Sequence, residues 1–437
     1  MAGYNIMKRP LLSKSYFLTL SIFLVAILCW INKATSQELN SDNVHGLDAF
    51  MRNWSNDSYM TGNWGGIRDK LSVKGINFSG FYAASILGNP AGGEKHGIRY
   101  AGLLNLYLDL DFEKLINLKG LRFRISGSWA SGMSLSDDDI GNLFQVSSIF
   151  NGQSVRLYQL SLEQSLFDDR IDIAIGRLGT GDDFMTSLLF YNFVGLAFDQ
   201  NPISIFFNIP SFTVDPFATW GARSKVRVYE DIYFKMGAYV SNRNSGKNRA
   251  DSLDFTLSDG ALLIGEVLYH YGKNKKNSSY PGVYKIGGYY DTQDFEDLSN
   301  PLQEKNGKYG LYLIAEQMIY SEGDKVIEQG LIPFITLTIA PSSELNPIPF
   351  FFSAGLVYQG LFSGRDEDTT PFGLAYGNFS RDLAGRDFEM VMELTHSFVI
   401  TPWLNVHPIS NIFSILVEMM TYQMPLSWDL NSLSTYS

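Results

Sequence analysis

Alternation of apolar and polar residues is the feature that most constrains the fold of this 437-residue chain. In the stretch LLNLYLDLDF, Leu103 to Phe112, leucine or phenylalanine takes every second position from Leu104 onward. Asparagine, tyrosine and aspartate fill the positions between them. Successive side chains of a strand point to opposite faces, so this period of two predicts a strand with one apolar and one polar face.

Segments of about ten residues with the same alternation recur along most of the chain. Examples are LRFRISGSW (121–129), RLYQLSLEQ (156–164), DIYFKMGAYV (231–240) and FEMVMELTHSF (388–398). Some connections are short, such as residues 165–172, whereas others are long, such as residues 178–224. Short turns mixed with long loops are typical of an up-and-down barrel. The sequence therefore predicts an all-β, antiparallel barrel, without a linker that would mark a second domain.

The first 36 residues predict a secretory signal peptide. Basic Lys8, Arg9 and Lys14 precede an apolar run over residues 16–31, and the small residues Ala34 and Ser36 follow it. A retained membrane anchor is the alternative, but the run is short for a transmembrane helix. The only cysteine, Cys29, lies within this segment, so the mature chain has no disulfides. We expect a polar lead-in over residues 37–61 and the barrel over residues 62–437.

Two closed architectures suit strands with one apolar face. A soluble sandwich or barrel buries that face, whereas an outer-membrane barrel turns it to lipid and lines a wet lumen with the polar face. Charges of both signs recur on the polar face within strands, which favours a lumen wall. Aromatic residues also stand near expected strand ends, as in membrane-interface girdles; they are Trp129, Tyr158, Tyr289, Tyr290, Tyr320 and Tyr358. The net charge of −11 argues against nucleic acid as a partner.

Several blocks of the sequence resemble the OprB family of carbohydrate-selective porins. They include NWGGIRDKLSVKGINFSGFYAASILGNPAGG from Asn63, YAGLLNLYLDLDFEKL from Tyr100, VRLYQLSLEQSLFDDRIDIAIGRL from Val155 and GLVYQGLFSGRDEDTTPFGLAYGNFS from Gly355. The resemblance covers about residues 62–408 and keeps the order of the blocks. It implies a barrel of about 16 strands in a Gram-negative outer membrane, which passes small sugars by diffusion.

The chain departs from this family pattern after about residue 409. The sequence from Ile409 to Ser437 does not alternate and does not end on a strand with a terminal aromatic residue. We interpret this tail as the product of a frameshift, and a naturally variant tail is the alternative. Resequencing the gene through this region distinguishes the two.

Candidate pore-lining residues come from the polar face and from one apolar loop. Sugar hydroxyls suit charged donors and acceptors, and the apolar faces of sugar rings suit aromatic side chains. The charged candidates are Arg122, Arg124, Glu163, Lys225, Arg227 and Glu266. The long loop over residues 178–224 is too apolar to extend into water. One hypothesis is that it folds into the lumen and narrows the pore, and the alternative is that much of it forms ordinary strand and rim packing. Its aromatic candidates are Phe206, Phe207, Phe212 and Trp220.

Enzyme signatures are missing from the sequence. There are five histidines, and none of them forms an H-E-x-x-H motif or a pair at metal-ligand spacing. We therefore expect no catalytic residues, metal or other cofactor. The predicted function is carbohydrate-selective diffusion through an outer-membrane porin, with small carbohydrates and outer-membrane lipid as partners. An outer-membrane barrel that serves as an adhesin or structural protein, and a soluble exported carbohydrate-binding β protein, are the alternatives. The sequence leaves monomer and homo-oligomer open.

Overall fold

The computed structural model describes residues 54–241, 260–272, 280–322, 329–383 and 387–416, with the backbone alone for 411–416. The strands are β1 (Ile76–Gly88), β2 (Ile98–Asp111), β3 (Leu121–Gly132), β4 (Ser154–Leu166), β5 (Ile171–Leu178), β6 (Thr219–Tyr229), β7 (Ile232–Val240), β8 (Ala261–Tyr271), β9 (Gly282–Glu296), β10 (Glu304–Gln317), β11 (Tyr320–Ser321), β12 (Gly330–Ile339), β13 (Phe350–Gln359), β14 (Thr369–Asn378), β15 (Phe388–Thr395), β16 (Phe398–Thr401), β17 (Leu404–Val406) and β18 (Ile409–Leu416). The α-helices are Ile67–Val73, Phe112–Ile116, Thr180–Asp183 and Ser204–Asn208. Shorter helical turns cover Trp64–Gly66, Ser136–Ile140 and Phe190–Asn192. Within these described ranges, no helix has the length and hydropathy needed to cross a membrane.

The strands form one 16-stranded antiparallel sheet in which each long strand pairs with the next one along the chain. The short strand β11 pairs only with β12, and β16 and β17 form a separate two-stranded sheet. Longer connections, such as those after β3 and β5, gather at one edge of the sheet, and shorter ones, such as those after β4 and β6, at the other. This up-and-down order confirms the predicted topology.

Burial alternates along the strands in the sense expected of a membrane barrel. On β2, the side chain of Leu106 is 59% exposed, whereas its neighbour Asn105 is 1% exposed. On β15, Leu394 is 51% exposed and Glu393 is fully buried. The apolar face therefore points outward and the polar face points inward, which is the reverse of a soluble sandwich.

The sheet curls around the connection between β5 and β6, residues 179–218, which we call the infolded loop. Its Asp215 accepts a hydrogen bond from Ser128 on β3 at 3.0 Å. Its Val194 donates through the backbone N–H to Glu393 on β15 at 2.7 Å. A single segment contacts strands from both ends of the sheet because the sheet surrounds it as a barrel.

A β-bulge alters one of the predicted faces. The pairing of β3 with β4 shifts between Ile125 and Gly127, so β4 contributes one extra residue there. As a result, Tyr158 and Gln159 both point inward, and Tyr158 is 2% exposed.

Tyr289 also faces inward and is 6% exposed. The prediction that Tyr158 and Tyr289 belong to an outer aromatic girdle is therefore wrong, whereas Tyr290 and Tyr320 are exposed.

Two compact units divide the chain. Of the described residues, the smaller comprises 54–62 together with Thr401–Trp403, and in it the rings of Trp54 and Trp403 lie 4.5 Å apart. The larger contains the barrel, whose strand pairing continues to Leu416. The prediction that the chain leaves the strand pattern after about residue 409 is wrong for Ile409–Leu416, because these residues form β18 and pair with β15. The predicted signal peptide and the rest of the tail lie outside the described residues.

Candidate functional site

The infolded loop fills one side of the barrel with apolar side chains. Two buried clusters join it to the inner faces of the wall, the first mainly to β10 and β12–β15 and the second mainly to β7–β10. In the first, the rings of Phe193 and Phe334 lie 5.6 Å apart. In the second, Phe184 packs edge-on against Tyr239 at 6.3 Å. These clusters lie mainly against the β7–β15 side of the barrel, whereas the inner face of β2–β6 carries charged and polar side chains.

Glycines in the wall give the inward-pointing rings their space. A Cβ atom placed on Gly373 of β14 would lie 2.6 Å from the ring of Phe198 in the infolded loop. A Cβ atom on Gly377 would lie equally close to Phe144 from the β3–β4 connection. These distances are far below van der Waals contact, so both rings seat directly on the strand backbone.

Two buried glutamates of β15 hold the inward connections in place. Glu393 accepts hydrogen bonds from the backbone N–H groups of Val194 and Gly195 at 2.7 and 2.9 Å. Four residues earlier, Glu389 accepts from two consecutive N–H groups of the β3–β4 connection at 2.7 and 2.9 Å. Each of the two carboxyl groups thus accepts two backbone hydrogen bonds, which fix the loops against the wall.

Glu266 of β8 plays a similar role nearer the passage. It forms a 2.7 Å ion pair with Lys235 of β7 and accepts from the Met185 backbone at 3.2 Å and from Tyr312 Oη at 2.9 Å. Lys235 in turn donates to the backbone carbonyl of Asp183 at 2.5 Å. Glu266, predicted to line the pore, is only 1% exposed, and it binds loop and wall groups instead of lumen water.

Ion pairs lie along the inner face of β2–β6. Arg124 donates to Asp109 at 2.6 Å, and its guanidinium carbon lies 6.0 Å from the centre of the Tyr107 ring. Arg223 of β6 pairs with Glu163 at 3.3 Å and with Asp183 of the infolded loop at 3.1 Å. It also pairs with Asp172 of β5.

Acidic groups of the infolded loop face this basic wall. Asp182 accepts from Tyr158 Oη and Gln159 Nε2, each at 2.5 Å. Although water in the lumen reaches Asp182, the surrounding protein and the nearby Asp215 carboxylate together raise its pKa to about 6. Burial likewise raises the pKa of Asp215 to about 6. The negative charge of the passage therefore falls as the pH drops through about 6.

The structure brings most of the predicted charged residues to the inner face. Arg122 and Arg124 are exposed there, and Glu163 joins them through Arg223. Lys225 lies 4.9 Å from the centre of the Tyr233 ring, and Arg227 donates to the Asp168 carbonyl at 3.1 Å. Both stand near the rim with the shorter turns.

The aromatic candidates lie elsewhere. Phe212 is 4% exposed, and Phe206 and Phe207 pack against the buried clusters, so these rings anchor the infolded loop. Trp220 stands three residues from the inward Arg223 on β6, and alternation therefore puts it on the outer face. The prediction that Trp220 lines the pore is wrong for this reason.

Three residues of the passage were missed from the sequence. Arg223 shares its face with Lys225 and Arg227. Extending the alternation from Lys225 by two residues toward the N-terminus would therefore have identified Arg223. Asp109 and Tyr107 lie on the polar face of the β2 stretch, but their pairing with Arg124 depends on strand register. Across the described ranges, no group of three or more potential metal ligands is assembled.

Comparison with known proteins gives consistent matches. Residues 95–409 match the model of the OprB family of carbohydrate-selective porins. Porin B of Pseudomonas aeruginosa is 28% identical over 413 residues, which cover 83% of this chain and 87% of that protein. The high-pH structure of Pseudomonas putida OprB superposes with a TM-score of 0.75 at 25% identity, covering 82% of this chain and 93% of that one. The low-pH structure of the same protein gives 0.57 at 23% identity, with coverages of 83% and 96%.

Proposed function

The chain belongs to the OprB family of carbohydrate-selective porins, and from this premise we propose how its passage recognises small sugars. It is an outer-membrane channel that passes small carbohydrates by diffusion. We propose that the sugar moves along the inner face of β2–β6, between the wall arginines and the acids of the infolded loop. We also propose that the channel catalyses no reaction and that its outer apolar band contacts outer-membrane lipid.

The chemistry of the passage suits sugar hydroxyls. A hydroxyl both donates and accepts, so it can exchange water for an arginine donor on one side and a carboxylate acceptor on the other. Arg124 with Asp109, and Arg223 with Glu163, offer both partners within single pairs. The Tyr107 ring beside Arg124 adds an apolar face for the C–H side of a sugar ring.

One observation supports this proposal: the apolar clusters of the infolded loop lie mainly against β7–β15, whereas the ion pairs of Arg124 with Asp109 and of Arg223 with Glu163 lie on β2–β6. A solute that crosses the barrel then meets alternating donors and acceptors. A neutral polyol satisfies these groups without bringing a charge of its own into the passage.

Liposome swelling with glucose, sucrose and raffinose tests the proposal. We expect fast swelling with glucose and a steep fall toward the trisaccharide, because the loop narrows the path. Arg124→Ala should raise the half-saturating glucose concentration roughly tenfold, since a hydrogen bond to a charged group is worth about 1.5–3 kcal/mol. The outward Leu162→Ala is the matched control and should leave it unchanged. Absence of swelling with every sugar would refute the proposed function.

A further inference from the structure

A cavity of about 210 Å³ lies between the infolded loop and the ends of β9 and β10 at the edge of the sheet with the longer connections. Ser211 borders it from the infolded loop, Phe295 and Lys308 from the wall, and Leu345 from the β12–β13 connection. We propose that this cavity is a second carbohydrate site, which binds one neutral sugar of monosaccharide size on the long-loop side. The proposal rests on the proposed function and adds a place of binding to it.

Lys308 supplies hydrogen-bond donors that the protein leaves largely unused. Lys308 is only 6% exposed, and its Nζ donates to the Asn208 carbonyl at 3.2 Å. The ammonium group lies 4.3 Å from the centre of the Phe295 ring, and the Asp291 carboxylate attracts it. An ammonium carries three donors, so two remain for the hydroxyls of a ligand.

The other walls suit the remaining parts of a sugar. Pro210, Phe295, Leu298 and Leu345 give the cavity a mainly apolar lining, against which the C–H face of a pyranose can pack. Gln293 also borders it, and its buried Oε1 accepts no hydrogen bond from the described residues, so it offers an acceptor. The Asp291 carboxylate beside the cavity attracts the Lys308 ammonium and offsets its charge, so the cavity favours a neutral ligand.

The polar side chains beside the cavity are held in place by hydrogen bonds to Asp291. Ser241 Oγ donates to Asp291 Oδ2 at 2.6 Å, and the Gln293 backbone N–H donates to Asp291 Oδ1 at 3.1 Å. Ser211 donates to the same carboxylate from the infolded loop. A site whose frame is ordered before binding loses less entropy when the ligand arrives.

Lys308 also contacts the infolded loop through Asn208, so the experiment must separate binding from loop positioning. Planar-bilayer recordings of the full chain, with D-glucose added to one side at a time, give the half-blocking glucose concentration and the sugar-free conductance. Lys308→Met should raise the half-blocking concentration from one side at least about fivefold and leave the sugar-free conductance unchanged. Lys305→Met is the control, because Lys305 pairs with Asp297 at the same rim outside the cavity, and it should change neither quantity.

The possible results separate this site from the proposed function. An unchanged half-blocking concentration in Lys308→Met overturns the second site. So does a change in the sugar-free conductance, since it assigns Lys308 to loop positioning. If wild-type liposomes swell in glucose and the variant is blocked normally, the porin function stands and the second site fails. If wild-type liposomes do not swell, the proposed function fails first and this inference falls with it.

Discussion

Replacement of residues 184–214 by a short glycine–serine linker is expected to raise the single-channel conductance roughly threefold or more, because pore width dominates conductance. This segment contributes most of the loop side chains in the two apolar clusters that fill the β7–β15 side of the barrel. Its removal converts a narrow passage into a wide one. Discrimination between glucose and raffinose in liposome swelling should weaken in the same variant.

A second variant covers the case in which the shortened chain does not fold. Glu393→Ala removes the carboxylate that accepts from the Val194 and Gly195 backbone, which should loosen the infolded loop and increase open-channel current noise. Leu302→Ser, at a connection residue that is 96% exposed, serves as the control and should behave as wild type. Wild-type conductance and noise in both loop variants would contradict a constricting role for the loop.

Leu106→Arg is expected to destabilise the barrel by about 2–4 kcal/mol, the cost of an arginine on the lipid face near the bilayer midplane. Leu106 lies centrally on β2 with its side chain 59% exposed on the outer surface. Leu106→Ala is the matched control, because a lipid-facing side chain has few packing partners to lose. Reversible urea unfolding in lipid vesicles measures the free energy of both variants.

Similar unfolding free energies for the arginine and alanine variants would mean that position 106 is in contact with water. Such a result would remove the membrane orientation on which the lumen assignment depends. A large loss for both variants would instead indicate a packed core position, as in a soluble sandwich, and would be equally incompatible with the structure.

Local alternation was enough to predict the barrel and the polarity of most of its strands. The inward faces of Lys235 and Glu393, for example, follow from a period of two without knowledge of any partner. Alternation failed at Tyr158, because the bulge that turns it inward arises from the pairing of two strands. Trp220 is three residues from Arg223 on β6. Alternation would have placed Trp220 on the outer face if the sequence had shown that both residues belong to the same strand.

The site was less accessible to sequence reasoning because its contacts are long-range. An apolar stretch such as FYNFVGLAF, residues 190–198, indicates burial but does not say against which strands its rings pack. The hydrogen bonds from Val194 and Gly195 to Glu393 span about two hundred residues and have no sequence signature. Arg124 and Glu163 were found because they alternate within strands, whereas the pairing of Arg223 with Asp183 needed the folded loop.

Thiol labelling of two neighbouring positions on β4 tests most directly whether the polar face borders the water path. In a Cys29→Ala background, Glu163→Cys and Leu162→Cys are each treated with a charged, membrane-impermeant thiol reagent while current is recorded. The structure predicts that the cysteine at position 163 reacts and that its modification lowers the conductance. At position 162, where the native leucine is 43% exposed on the outer face, the cysteine should not react. Reaction at 162 with protection at 163 would contradict the orientation of the entire barrel.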